Sequence, residues 1–516
     1  MSESSMPASG VIPRSVWVST ILICMQSFLQ GYIFMALNPT LVMGDKNSQS
    51  SCLDGSDSSC PPGSIYQDLA LSTLETGLAT SLVMLGGLVG CMLAIKPGEL
   101  YGRKFTLMCN NGVYILGAVL SSLGYKNALF IGRFVSGLSV GCTSALGPTM
   151  LSEISQDAYR GTITTCHQVS VTFAILAASL IGYGFVTNMD GGWQVCQALE
   201  VLPCLVMLVG YAWVPESPKW LVSVGRVDEA LTQLRALRHP GANVEAEVNE
   251  ITADSKSSAQ EATITWKEVM VSRRGVTIAC LLMLIQAFTG INSVVFYSTT
   301  IFGFAGFKEA ILATTAFGVV NFLVTIIACY IIDIYGRKVL LFRGTCVMFV
   351  ALIALSVALL SPTSTMQGYI AVASVLVYVS GFAVGLGATC WVIMCELVPT
   401  RSRSKAMSLF LLINWIGNFF IGLFSLNAIN GLGGVSDDMS DDEAADAEKK
   451  GVSYLYIIFA CVTFVACVYI HFSVPETKGS KPEDFQDSVS APLITDDSAA
   501  DQRQSSQSTN SSGNKA

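Results

Sequence analysis

The segment Glu99-Leu-Tyr-Gly-Arg-Lys104 occurs a second time as Asp333-Ile-Tyr-Gly-Arg-Lys338, 234 residues further along the chain. Two more pairs of segments recur in the same order. Glu153 and Arg160 correspond to Glu396 and Arg403 at an offset of 243, and Val214-Pro-Glu-Ser-Pro-Lys219 corresponds to Val474-Pro-Glu-Thr-Lys478. Three matches in one order indicate two homologous halves with the same charged residues at their helix ends.

The sequence between these motifs is strongly apolar. Of the 516 residues, 52% are hydrophobic and 13% are charged, whereas a soluble protein carries roughly 25% charged residues. Many runs without Asp, Glu, Lys or Arg approach or exceed the ~20 residues that a membrane-spanning helix needs. They are 15–44, 76–95, 105–125, 134–152, 161–189, 275–307, 310–332, 406–436 and 451–475, with 344–395 long enough for two helices and 191–215 interrupted only by Glu200. We therefore predict an all-α membrane protein with twelve transmembrane helices in two six-helix pseudo-repeats, the arrangement of transporters whose site lies between parallel repeats.

The predicted organisation has five segments. They are an N-terminus at 1–14, an N-terminal half at 15–215, a helical linker at 216–274, a C-terminal half at 275–475 and a disordered tail at 476–516. With the N-terminus inside, cytoplasmic segments hold 23 of the 29 Lys and Arg residues, so the positive-inside rule places both termini in the cytoplasm. We expect the plasma membrane as the location. Residues 435–450 are expected to form an acidic external loop.

The external loop 45–72 contains Cys52 and Cys60 among Ser, Gly and Pro residues. An external compartment permits disulfides, so these two cysteines are the disulfide candidate. The other classes of protein have little support. A net charge of −8 gives no nucleic-acid footprint, and there is no nucleophile–base set, phosphate loop or metal-ligand spacing that would indicate an enzyme, a cofactor or a metal. The expected partners are the lipid bilayer and a small molecule, and the sequence does not determine the oligomeric state.

The repeated motifs resemble those of the sugar porter family of the major facilitator superfamily, and most closely its facilitative hexose transporters. The resemblance extends from about Gln30 to Gly479. The matching positions are Glu99 and Asp333 with their Gly-Arg-Lys, Pro148-x-x-x-Ser152-Glu153 with Arg160-Gly161, Pro215 to Lys219, and Pro475 to Gly479. This resemblance implies the major facilitator fold, a sugar substrate and transport by alternating access.

The resemblance also implies a gate at the cytoplasmic helix ends, where charged residues bridge the two halves when the site faces outward. These residues are Glu99, Arg103, Glu153, Arg160, Asp333, Arg337, Glu396 and Arg403. A role in topology alone is the alternative. The positive-inside rule accounts for Lys and Arg, but it does not explain acidic residues at repeated positions.

Polar residues inside the spans supply the candidate sugar site, because they are costly there unless they face an interior or a partner. In the family's register they are Gln168, Gln286, Asn292, Asn321, Trp391, Asn414, Asn418 and Asn38. Amides offer donors and an acceptor to hydroxyls without the desolvation cost of a charge. Three positions depart from the family: Ala287 replaces a Gln, and Ala388 and Cys390 replace two prolines, which puts the usual kink of the tenth helix in doubt.

The first helix decides the expected coupling. Family symporters carry an Asp after Gly-Tyr, paired with an Arg in the fourth helix, whereas this chain has Ile33 with Arg133 retained. We therefore expect uniport of a hexose, with glucose as the first candidate. A proton-coupled hexose or inositol symporter is the alternative, and its proton site would be sought at His167 or Glu200. A non-transporting sugar sensor is an alternative from another class.

Overall fold

A computed structural model describes residues 12–43, 52–53, 55, 58–261, 266–269, 273–305, 309–361, 365–398, 402–436, 439 and 441–477. Twelve long helices dominate it, as the charge-free runs predict. The first six are α1 (Arg14–Ala36), α2 (Thr73–Leu100), α3 (Arg103–Ser121), α4 (Lys126–Ile154), α5 (Arg160–Val186) and α6 (Gly192–Ala198 with Val201–Gly210). The last six are α7 (Arg273–Phe288 with Ile291–Phe304), α8 (Ala310–Tyr335), α9 (Arg337–Leu360), α10 (Thr365–Phe382, Ala383–Gly387 and Ala388–Leu397), α11 (Arg403–Gly433) and α12 (Asp441–Ser473).

Eleven of these helices, among the described residues, have both the length and the apolar composition to cross a membrane. The remaining one is α3, whose 19 residues include two charges and two adjacent asparagines, Asn110 and Asn111. These asparagines are buried, because α3 turns its polar face into the N-terminal half. The chain therefore has the twelve-helix architecture that was predicted.

A close helix crossing holds the N-terminal half together. A Cβ built on Gly90 of α2 would lie 2.0 Å from the carbonyl oxygen of Leu138 on α4, and one on Gly141 of α4 would lie 2.1 Å from that of Gly87. Only glycine permits such an approach, which is the usual way in which membrane helices gain packing contacts. The halves meet along three helix pairs, namely α1 with α7, α2 with α11 and α5 with α8.

The linker folds into short helices at Pro218–Ser223, Val227–Leu237, Val244–Glu261 and Trp266–Val269. The first three share a small apolar core that includes Trp220, Leu234 and Val248. Arg238 is buried there, where its guanidinium binds Glu247 and donates to the carbonyl oxygen of Ile154 at 3.0 Å. Because Ile154 is the last residue of α4, this contact attaches the linker to the N-terminal half.

We call the end of the bundle with the linker and the Gly-Arg-Lys motifs the basic side, and the opposite end the disulfide side. On the disulfide side Cys52 and Cys60 form a disulfide. The following helix Ile65–Asp68 is fixed to the start of α6, because Trp193 Nε1 donates to Asp68 Oδ2 at 2.6 Å. This segment therefore packs against the N-terminal half.

One expected loop is helical instead. The acidic segment at 435–450 was expected to be an external loop, but α12 begins at Asp441 and includes most of it. Lys449 is buried and donates to Gln367 Oε1 at 3.3 Å, while Lys450 pairs with Asp446 one turn earlier at 3.2 Å. These contacts give the acidic turns partners that composition alone does not reveal. The N-terminus before Ile12 and the tail after Thr477 lie outside the described residues.

Candidate functional site

A cavity of about 2370 Å³ lies between the two halves and extends to the basic side. The structure brings seven of the eight predicted sugar-binding residues to its wall: Gln168, Gln286, Asn292, Asn321, Trp391, Asn414 and Asn418. Six of the seven belong to the C-terminal half, and Gln168 of α5 faces them from the other half. Towards the basic side the wall continues to Glu99, Arg103, Glu396 and Arg403.

Three of the amides form a hydrogen-bonded chain. Asn414 Nδ2 donates to Gln286 Oε1 at 2.7 Å, and Asn418 Nδ2 donates to Asn414 Oδ1 at 3.0 Å. Gln286 Nε2 in turn donates to the carbonyl oxygen of Leu386 at 2.7 Å. The chain ends at Asn418 Oδ1, a buried acceptor without a partner among the described residues. A hydroxyl donor beside it would satisfy this oxygen and remove its desolvation cost.

The Leu386 carbonyl is available because α10 has a π-helical turn at Ala383–Gly387. The wider turn shifts the backbone bonds, and Thr389 Oγ1 donates to the carbonyl oxygen of Val384, five residues back, at 2.8 Å. Such turns are often found at functional sites. The two prolines replaced by Ala388 and Cys390 are thus not needed for an irregular helix here, because the π turn supplies the irregularity.

Two cavity features were missed in the sequence. Trp415 lines the cavity beside Asn414, its ring packs on Gly87 and its edge meets Phe34 at 6.4 Å between centroids. Its Nε1 is buried without a partner among the described residues, so a ligand oxygen that reached it could accept its hydrogen. The sequence contained a signal, because Trp415 directly follows Asn414, one of the predicted site residues. Gln30 of α1 also lines the wall.

Asn38 is placed differently from the prediction, because it lies away from the cavity. It follows the end of α1 in a short 3-10 turn at Asn38–Thr40, about one turn beyond the cavity wall. Its Nδ2 donates to the carbonyl oxygen of Val295 at 2.6 Å and to Ser298 Oγ at 2.8 Å, and its Oδ1 accepts from Thr299 N at 3.1 Å. Asn38 therefore joins α1 to α7 on the disulfide side.

Tyr297 strengthens the same closure. Its hydroxyl donates to the carbonyl oxygen of Gly422 at 2.5 Å and also contacts the hydroxyl of Thr80. The backbone of α7 is non-helical at Tyr297, so the kink directs the ring across the interface between the halves. With Asn38, these bonds close the disulfide side while the cavity is open towards the basic side.

On the basic side the two halves repeat one arrangement. Glu216 accepts from the backbone N–H of Lys104 at 3.0 Å, and Glu476 accepts from those of Arg337 and Lys338 at 3.0 and 3.2 Å. These carboxylates satisfy N–H groups that the first turn of α3 and of α9 leaves unpaired. The N-cap residues of these helices are Gly102 and Gly336. Their φ values are +96° and +89° with ψ of 163° and 152°, a region essentially restricted to glycine. The repeated Gly is thus a requirement of the cap.

The charged residues pair within each half. Arg103 binds Glu153 at 3.1 Å and Arg337 binds Glu396 at 3.3 Å, while Arg160 pairs with Asp157. These pairs therefore do not bridge the two halves as predicted, because the open cavity separates the charged residues of one half from those of the other. Glu99 and Arg403 line the cavity, and the side chain of Asp333 lies outside the described residues. The inter-half gate remains a prediction for the state in which the basic side is closed.

Arg133 occupies the interior of the N-terminal half. Its Nη1 donates to the carbonyl oxygen of Ile33 at 3.0 Å and its Nε to that of Ala79 at 3.1 Å. Glu200 of α6 is buried in the same region and interacts electrostatically with Arg133. Arg133 Nη2 and both oxygens of Glu200 have no hydrogen-bond partner among the described residues. A single acid in an apolar span is a functional signal by itself.

A family model described as "Sugar (and other) transporter" matches residues 19–488. The chain belongs to the sugar porter family of the major facilitator superfamily. It is 30% identical to the glucose transporter GlcP of Staphylococcus epidermidis, over 82% of this chain and 90% of that one. It is also 30% identical to the low-affinity glucose transporter HXT3 of Saccharomyces cerevisiae, over 82% of this chain and 74% of that one.

Solved structures agree on the fold of this sugar porter. The inward open conformation of the xylose transporter XylE from E. coli matches with a TM-score of 0.73 at 22% identity, covering 92% of this chain and 99% of the other. The proton:xylose symporter XylE bound to 6-bromo-6-deoxy-D-glucose matches with a TM-score of 0.69 at 24% identity, covering 92% and 98%. At this identity the likeness shows the fold alone.

Proposed function

We propose that this sugar porter carries a hexose, with glucose as the first candidate, down its concentration gradient. The observation that carries the substrate class is the amide chain from Gln286 to Asn418 in the wall of the cavity. Its donors and acceptors suit the hydroxyls of a neutral sugar, and Trp391 and Trp415 offer ring faces beside it. The names of the relatives GlcP and HXT3, both glucose transporters, support the same choice.

The proposal of uniport rests on the surroundings of Arg133. A carboxylate at position 33 would take up and release a proton beside this guanidinium, but the chain has Ile33, which contributes only its backbone carbonyl. A carbonyl oxygen cannot titrate in the physiological range, so this position offers no proton to couple to sugar movement. The sugar would then stop moving when its concentrations on both sides are equal.

The orientation belongs to the same proposal. The basic side, with both termini, lies in the cytoplasm, and the disulfide side faces the outside of the plasma membrane. The excess of Lys and Arg at the basic side supports this orientation, as does the disulfide on the other side. In this proposed orientation the cavity faces the cytoplasm.

Proton-coupled transport is the second candidate, and Glu200 favours it. Its carboxyl group is buried beside Arg133 and lacks hydrogen-bond partners among the described residues. A buried acid without partners can exist neutral or charged at modest cost when an Arg is close. Glu200 would then replace the missing carboxylate at position 33 from a different helix.

Uptake of labelled glucose, fructose, mannose and myo-inositol in a transport-null host, with and without a protonophore, tests both candidates. Uniport predicts that internal sugar reaches the external concentration and that the protonophore changes nothing. Accumulation above the external concentration that collapses with the protonophore would replace uniport by symport. Sugar binding without any uptake would favour the sensor instead of either carrier.

A further inference from the structure

Helices α5 and α8 run antiparallel along the interface between the halves. A Cβ built on Gly318 of α8 would lie 3.0 Å from Leu176 Cα on α5. Phe322 lies four residues after Gly318 on α8, and Phe173 lies three residues before Leu176 on α5. The rings of Phe322 and Phe173 contact each other, with 5.4 Å between their centroids. Steps of three and four residues keep to one face of a helix, so these contacts define the facing surfaces of both helices.

The same register places one cysteine of each helix on these facing surfaces, nearer the basic side. Cys166 lies seven residues before Phe173, and Cys329 lies seven residues after Phe322. Seven residues are about two helical turns, or roughly 10 Å, so both cysteines fall on the facing surfaces. Both residues line the central cavity. The Cys166 thiol donates to the carbonyl oxygen of Thr162 at 3.4 Å and is accessible.

We propose that Cys166 and Cys329 form a two-thiol site that takes a soft, linearly coordinated metal ion such as Hg²⁺, Ag⁺ or Cu⁺, and that the bound ion arrests transport. Thiolates select soft ions. Among the described residues there is no group of three or more His, Cys, Asp or Glu side chains that could hold a metal, so the ion must accept two ligands. Each thiol gives its proton to water and each sulfur forms one bond to the metal, whose oxidation state does not change.

Arrest follows from the position of the pair. Cys166 belongs to the N-terminal half and Cys329 to the C-terminal half, and both line the cavity towards the side to which it opens. A metal bridge would hold α5 and α8 in this register, whereas alternating access requires the halves to move at this level. The inference therefore rests on the proposed alternating access, but the binding of the metal does not.

Cys24 provides the competing arrangement. It lies on α1 and, like Cys166, it lines the cavity. Both residues belong to the N-terminal half, so a metal bridge between them would leave the halves free to move. The two arrangements differ in the partner of Cys166 and in the effect on transport.

The test uses the full-length chain in liposomes with Hg²⁺ as the probe. The background carries Cys109→Ser and Cys461→Ser, which remove two exposed thiols that do not belong to the cavity wall. In this background Cys166→Ser and Cys329→Ser should each raise the Hg²⁺ concentration for half-inhibition of sugar exchange by about 100-fold, because two linked ligands bind far more tightly than one. A dithiol should restore exchange in the background protein.

The Cys24→Ser variant is the matched control, and its inhibition should equal that of the background. If Cys329→Ser stays fully sensitive while Cys166→Ser or Cys24→Ser becomes resistant, the inter-half site is wrong. If Cys329→Ser does not reach the membrane, Cys329→Ala takes its place. Intact-protein mass measurement should find one mercury fewer per chain in the Cys166→Ser, Cys329→Ser double variant. That count is independent of sugar transport, so it separates failure of this site from failure of the proposed function.

Discussion

The two halves of this sugar porter are nearly alike on the basic side and very different inside. Each has a Gly that starts a helix, a Glu from a Pro-Glu motif that caps this helix, and an Arg–Glu pair at 3.1 or 3.3 Å. Inside, the N-terminal half buries Arg133 and Glu200, whereas most of the cavity amides belong to the C-terminal half.

This difference separates residues that hold helix ends in place from residues that line the interior. In the proposed alternating access the halves move against each other, so the parts that hold helix ends in place are needed twice, and they are present twice. The candidate sugar-binding amides lie mostly in the C-terminal half and the buried Arg133 and Glu200 lie in the other, and neither set is repeated. We therefore expect the repeated residues to affect conformational change and the residues that are not repeated to affect the substrate.

The caps should give the largest effect. Gly102→Ala and Gly336→Ala force a β-carbon into a glycine-only region, which costs of the order of 1–3 kcal/mol. The new carbon would also meet the capping carboxylate, at 2.3 Å from Glu216 and 2.9 Å from Glu476. Both variants should lower the thermal unfolding midpoint of the purified protein by several degrees, whereas Gly112→Ala, with open space in α3, should not. If Gly102→Ala and Gly336→Ala lower the unfolding midpoint by clearly different amounts, the two caps are not equivalent.

The amide chain is the next test, and it concerns the C-terminal half alone. Gln286→Ala removes the partner of both Asn414 and the Leu386 carbonyl. A lost or unpaired hydrogen bond of this kind costs roughly 1–3 kcal/mol, so the apparent KM for sugar uptake should rise ~5- to 100-fold. Asn427→Ala on α11 is the control, because its amide bonds to its own helix at Leu423. Unchanged kinetics in Gln286→Ala would remove the cavity assignment.

The charged pairs should give a smaller, symmetric effect. Glu153→Gln and Glu396→Gln each weaken one partly exposed ion pair, which is worth about 1 kcal/mol. Each should therefore lower the rate of sugar exchange roughly fivefold. Arg160→Ala is expected to act in the same direction. Glu229→Gln is the control, because its pair with Arg226 lies on the exposed linker surface. If Glu153→Gln and Glu396→Gln transport like the parent, these charges serve topology alone.

Glu200 should give the smallest effect if transport is uniport. Glu200→Gln keeps the shape and hydrogen-bonding capacity of the side chain, so sugar exchange should stay within about twofold of the parent. Neither protein should accumulate sugar above the external concentration. If the parent accumulates sugar and Glu200→Gln only equilibrates it, Glu200 is the coupling site. The N-terminal half would then couple protons to sugar transport, contrary to the uniport proposal.

Local sequence features predicted the architecture well. Charge-free runs of the required length predict helices wherever they occur, because the backbone must satisfy its own hydrogen bonds in lipid. The repeat of Glu99 and Asp333 predicts two halves, and polar residues in apolar runs predict the residues of an interior cavity. The acidic turns of α12 were missed, since their stability comes from tertiary contacts such as that of Lys449 with Gln367.

The sequence by itself determined the number of helices, their pairing into halves and the chemistry of the cavity wall, because these depend on composition and spacing. Only the tertiary structure decided which residues meet. It moved Asn38 from the cavity to the disulfide side, kept Arg103 with Glu153 inside one half, and made a π turn the source of the irregularity in α10. Such partners depend on helix register and tilt, which distant contacts fix, and no local pattern of residues records them.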